Sequence, residues 1–166
     1  MISFDTIKKP YSLLFAAAIL VGLSAGSAQA ITSPFTGMAG SWAGSGAITL
    51  ASGAKESIRC RATYNVNGTG TQLDLVLRCA SASYKFELQS NVASNNGSIS
   101  GTWAELTRRV GGTVSGSANA GRIQASVQGT VTARLAMSTK ANTQTVVIES
   151  PGSPMSAVSI SLSKAH

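Results

Sequence analysis

The sequence predicts an all-β protein: an antiparallel meander of about 8–10 short strands, closed or nearly closed into a small barrel, with a β-sandwich as the alternative. Three observations predict it. Beyond Ala30 the apolar residues recur with period two, and no stretch carries the 3.6-residue period of an amphipathic helix. Turn signals rich in glycine and asparagine separate the apolar runs at short intervals. The gaps are too short for the crossover helices of a parallel sheet, and a long run of hairpins tends to curl until its edges meet.

The first thirty residues stand apart from this pattern. Lys8 and Lys9 precede an apolar run over residues 11–22, and Ala28-Gln29-Ala30 has the small-x-small form of a signal-peptidase site. Residues 1–30 are therefore expected to be a cleavable signal peptide. Residues 31–166 are expected to be a single β-barrel-like domain, periplasmic or secreted. The apolar run is shorter than the ~20 residues that cross a bilayer as a helix, and no later segment reaches that length. No cysteine lies near the cleavage site to take a lipid. The processed chain is expected not to span a membrane: an outer-membrane barrel would show apolar outer faces and aromatic girdles, whereas the outer positions here are polar.

The strands follow in order. Trp42, Gly44, Gly46, Ile48 and Leu50 alternate with Ala43, Ser45, Ala47 and Thr49, and Ser52-Gly53 ends the run. Ile58, Cys60, Ala62, Tyr64 and Val66 alternate with Arg59, Arg61, Thr63 and Asn65, which gives one dry and one wet face. Asn67-Gly68-Thr69-Gly70 is a hairpin signal, since glycine takes positive φ at no steric cost. Leu73, Leu75, Leu77 and Cys79 form the next run, then Tyr84, Phe86 and Leu88. Asn95-Asn96-Gly97 turns the chain into Ile99, Gly101 and Trp103. A Gly/Ser-rich stretch over 110–119 follows, then runs centred on Ala125, Ala133, Val146 and Ile160. Small inward residues such as Gly101, Ala125 and Ala133 leave space inside or let the wall bend.

Two cysteines, Cys60 and Cys79, lie in consecutive runs. A turn about Thr69-Gly70 sets Cys60 opposite Cys79, Ala62 opposite Leu77, Tyr64 opposite Leu75 and Val66 opposite Leu73, with every apolar residue on one face. An exported chain meets an oxidising compartment, so a cross-strand Cys60–Cys79 disulfide is expected. The same register sets Arg61 opposite Arg78 on the outer face. A next turn about Ser81-Ala82 would bring Lys85 opposite Arg78. With Arg59 nearby, these four cations form a candidate anion-binding surface for an envelope component; a solvated, salt-screened face is the plainer interpretation.

The chain is basic, with a formal net charge of +7 from 13 Lys+Arg and 6 Asp+Glu, which favours anionic partners through long-range attraction. Its one histidine is the terminal His166, so a Ser-His-Asp or Cys-His arrangement has no base in the body of the chain. Glu56, Glu87, Glu105 and Glu149 are scattered and fall mostly on expected outer or edge positions. No cluster has metal-ligand spacing, and the glycine-rich stretches lack the strand-then-helix context of a phosphate loop. The aromatics mostly face inward, which argues against a stacking platform for nucleic acid. No catalytic residues, metal or cofactor are assigned, and the chain is expected not to be an enzyme.

Gly40-Ser41-Trp42 resembles the G-x-W signature that opens lipocalins and related calycin barrels, and Gly101-Thr102-Trp103 is similar to the G-T-W of avidin-like barrels. Gly40-Ser41-Trp42-Ala43-Gly44-Ser45-Gly46 also resembles the start of nitrobindin-type haem barrels. Those use an internal histidine for iron that this chain lacks, so haem is not carried over. A tryptophan followed by two cysteines about twenty residues apart is similar to small periplasmic metalloprotease inhibitors. As a whole the chain resembles uncharacterised small exported proteins of alphaproteobacteria, a likeness that implies no activity.

The functional expectation is a barrel that binds a small apolar or amphipathic ligand in its interior. Candidate lining residues are Trp42, Tyr64, Leu75, Phe86 and Trp103. The alternative is a periplasmic protein-interaction module, such as a protease inhibitor or envelope-associated protein, acting through its loops, its segment 31–38 or the basic surface.

Overall fold

A computed structural model of the chain describes residues 33–165, so the expected signal peptide lies outside the described residues. Ten strands follow one another: β1 (Gly40–Leu50), β2 (Lys55–Val66), β3 (Gln72–Ala80), β4 (Lys85–Asn95), β5 (Ser98–Glu105), β6 (Val110–Asn119), β7 (Arg122–Gly129), β8 (Ala133–Lys140), β9 (Thr143–Glu149) and β10 (Met155–Lys164). Each pairs antiparallel with the next, and β1 also pairs with β10, so the sheet closes on itself as a ten-stranded barrel. The closed meander replaces the sandwich alternative.

The alternation in the sequence becomes the inside and outside of the wall. On β2, Ile58, Cys60, Ala62 and Tyr64 are buried while Arg59, Arg61 and Thr63 are exposed. The β2–β3 ladder sets Cys60 opposite Cys79, Ala62 opposite Leu77, Tyr64 opposite Leu75 and Val66 opposite Leu73. A disulfide joins Cys60 to Cys79.

The β3–β4 register differs from the expected one. Arg78 faces Glu87 and Lys85 faces Ala80. The turn centres between Ala82 and Ser83, where the Ser81 amide donates to the Tyr84 carbonyl at 2.8 Å. Glu56, from the neighbouring strand, holds that turn: its Oε2 accepts from the Ser81 hydroxyl at 2.9 Å and the Ser83 amide at 3.3 Å. Hydrogen bonding from the Ser83 and Ser81 side chains, with the Ser83 amide, holds its carboxyl below the ordinary range against the opposing effect of desolvation. The slip is by two residues, so every side chain keeps its face and only the partners change.

The seam between β1 and β10 is tight. Gly44 pairs with Leu162 and Gly46 with Ile160. A Cβ on Gly44 would collide with the Ser161 carbonyl oxygen, and one on Gly46 with that of Ser159. The bare α-carbons thus let the last strand lie against the first.

The lower end, where β1 begins, is plugged by residues 33–38. Phe35 and Met38 are completely buried. The segment is pinned by the Phe35 amide to the Gly70 carbonyl at 3.3 Å and by the Gly121 amide to the Pro34 carbonyl at 3.3 Å. Gly70, at φ +69°, lets the plug approach; a Cβ there would stand 2.6 Å from Ser33 Cβ. Burying an apolar side chain of this size is worth ~1.5–3 kcal/mol, which offsets part of the cost of ordering the segment.

Candidate functional site

Above the plug the barrel is hollow. A cavity of about 300 Å³ runs from Phe35 and Met38 at the floor to Arg108, Val131 and Ser153 at the upper rim. It opens there: Val131 is 39% exposed and the Arg108 side chain 44%. The wall is almost wholly apolar, built from the inward positions of β2 to β10. The size lies at the lower end of the ~300–1,000 Å³ common for ligand pockets.

The structure brings four of the five expected lining residues together. Tyr64 stands low in the cavity, Leu75 and Trp103 on its wall, and Phe86 near the rim. Trp103 keeps its face on the cavity by donating Nε1–H to the Gln128 carbonyl at 3.1 Å. Trp42 is the exception. It lies in the floor, 1% exposed, with its indole N–H given to the Met38 carbonyl at 2.8 Å and its ring edge-on to Tyr64 at 6.5 Å. It supports the plug and does not line the cavity, because residues 33–38 fold beneath the barrel and cover it.

The floor holds one buried polar pair. The Tyr64 hydroxyl donates to Gln144 Oε1 at 2.7 Å, and Gln144 donates Nε2–H to Thr139 Oγ1 at 2.9 Å. Burial raises the Tyr64 pKa, against the opposing effect of the Gln144 hydrogen bond, so the phenol stays neutral.

Two charged groups reach the rim. The Glu105 carboxylate, with its side chain 8% exposed, accepts from the Glu87 amide at 3.0 Å, the Thr107 amide at 3.2 Å and the Arg108 amide at 2.7 Å. Burial pushes its pKa up, but these amides outweigh burial and hold the carboxyl below its ordinary value. Arg108 lies over the Phe86 ring at 5.2 Å, and Phe86 stacks on Tyr84 at 6.2 Å. The sequence set the four glutamates mostly at outer or edge positions without singling out Glu105; the structure places Glu105 inside, at the rim. The signal was present, since Ile99, Gly101, Trp103 and Glu105 share one parity. An acid ending an apolar series marks a group held by the turn that follows, here reaching the amides of Thr107 and Arg108.

The four cations of the expected basic surface lie outside the barrel and do not form a row. Arg61 does oppose Arg78, but Arg78 pairs with Glu87 at 2.8 Å, whose hydrogen bond and charge raise the guanidinium pKa. Arg59 and Lys85 are separated by Ala80. Lys85 leaves the expected row because the turn held by Glu56 sets it two places from Arg78. Among the described residues no group of His, Cys, Asp and Glu could hold a metal ion.

The fold and site define a closed antiparallel ten-stranded barrel with a hollow interior that opens at one end. No family model matches the sequence, and no curated protein matches it. Among solved structures the chain is similar to the S-type phycobiliprotein lyase CPES from Guillardia theta, with a TM-score of 0.52 at 7% identity, over 80% of this chain and 90% of that one. This likeness corrects the expectation that the chain is not an enzyme. A protein named as a lyase has a similar fold, so an inner wall without histidine does not license the step to a chain without catalysis. At 7% identity the two share a fold, and function is argued from the site.

Proposed function

We propose that this protein is an exported barrel that takes a small apolar or amphipathic ligand into its interior. The observation that carries the reading is the cavity: about 300 Å³, closed below by Phe35 and Met38, open above, and apolar along its length. A core that only needed stability would fill such a space, since each unfilled void forfeits contacts. The candidate contacts are Tyr64, Leu75, Phe86 and Trp103. Export is supported by the Cys60–Cys79 disulfide, which persists in oxidising compartments. The test is native mass spectrometry of the protein purified from the cells that make it. Extra mass that leaves on denaturation, and an organic extract that restores it, is the expected result. A bare polypeptide mass, with no uptake from a panel of apolar compounds, overturns the proposal.

A further inference from the structure

Arg108 is the sole cation among the described residues that line the cavity, and it stands at the mouth. Its position is held from several sides. Its guanidinium carbon lies 5.2 Å from the centre of the Phe86 ring. Nη1 gives one long hydrogen bond, 3.4 Å, to the Lys85 carbonyl, and lies 3.6 Å from Glu105 Oε2, beyond hydrogen-bond length. A guanidinium carries five N–H donors in a planar fork. Among the described residues, then, most of the fork is left to water at the edge of an apolar chamber.

Glu105 offsets part of that charge at 3.6 Å but takes up none of the fork's hydrogen-bond donors. Its two oxygens accept from three backbone amides, that of Glu87 on β4 and those of Thr107 and Arg108 in the turn between β5 and β6. The ion pair at the rim is therefore loose on the arginine side and tight on the glutamate side. An anion arriving at the mouth meets a guanidinium with free donors, already oriented by the ring beneath it.

We propose that the ligand is an anionic amphiphile whose single carboxylate or phosphate sits in the fork of Arg108 while its apolar chain descends past Phe86 toward Tyr64. This rests on the ligand-binding reading above. The cavity volume sets the chain: at ~30 Å³ for a water-sized group, about 300 Å³ holds roughly ten of them. A medium-length chain fits that volume.

The test is displacement of a fluorescent apolar probe from the full chain, as processed by its producing cell, at neutral pH and low salt. Dodecanoate, dodecyl phosphate and dodecanol compete in parallel. Both anions are expected to bind about tenfold or more tighter than the alcohol, since a hydrogen bond to a charged group is worth at least that factor. Preference for one anion alone supports the proposal and identifies the head group. Arg108→Gln is expected to abolish the preference while dodecanol affinity, the control for an intact barrel, stays the same; Arg108→Lys is expected to keep part of it. Equal binding of all three compounds overturns the assignment to Arg108 and leaves the ligand-binding reading standing, as does a preference that survives Arg108→Gln. If none of the three displaces the probe, the assignment falls; if the probe itself fails to bind, both readings fall together.

Discussion

Tyr64 and Gln144 meet across the floor of the barrel, hydroxyl to amide oxygen at 2.7 Å, although β2 and β9 are not neighbours in the sheet. The bond ties two walls that the backbone ladder leaves independent. Removing one partner strands a buried polar atom, whereas removing both removes the need. Gln144→Leu is expected to destabilise by about 1–3 kcal/mol in urea unfolding. Tyr64→Phe in the same chain should recover a large part of that loss. Equal and additive losses would mean that the pair is not coupled.

The disulfide closes a loop with a sequence separation of 19. Replacing Cys60 and Cys79 together by alanine is expected to cost about 3 kcal/mol, chiefly by freeing the unfolded chain. Chemical denaturation with and without reductant checks this on the unaltered protein. The alanine variant should show no response to reductant.

Gly44→Ala places a methyl group against the Ser161 backbone, which cannot rotate away. The expected cost is at the upper end of ~1–3 kcal/mol, read as a lowered melting temperature. Gly68→Ala is the control. That position has nothing within 4 Å of the added Cβ, and its variant should melt within a few degrees of the parent.

Glu105 makes stability depend on acid. Its carboxyl is held below the ordinary value in the folded chain, so the folded state prefers the ionised form. The resulting stabilisation is fully present above the ordinary carboxyl pKa and is lost as pH falls through the lower, folded value. Glu105→Gln is expected to cost about 1–3 kcal/mol at neutral pH and to flatten the acid limb of the stability curve. An unchanged acid limb would mean that another carboxylate governs it.

Much of this architecture was legible because alternation is a local property. Ile58, Cys60, Ala62 and Tyr64 announce their shared face without knowledge of their neighbours, and the glycine-rich turn after Val66 fixes the partner of each. What was not legible depended on distant residues. Lys85 fell two places from its expected partner because Glu56, on another strand, holds the Ser81–Tyr84 turn. Trp42 left the cavity because residues 33–38 fold beneath it, and nothing in their sequence period shows that. Glu105 was not singled out from the other glutamates because acids are usually exposed; only the three amides converging on it explain its place. The cavity itself depends on how ten inward rows are spaced around a ring, which no single run of sequence encodes.

The seam of β1 and β10 pairs Trp42 with Lys164, at opposite ends of the described chain, while all the other ladders join strands adjacent in sequence. In kinetic terms the protein is nine short-range events and one long-range event. Loop-closure entropy disfavours the long-range event most, so it is expected to come last and to be the slow step of assembly. Until then the nascent sheet has two bare edges, one glycine-rich and one studded with serine. Completing the seam satisfies both at once, so the step that finishes the chamber also ends the interval in which one chain could add to another.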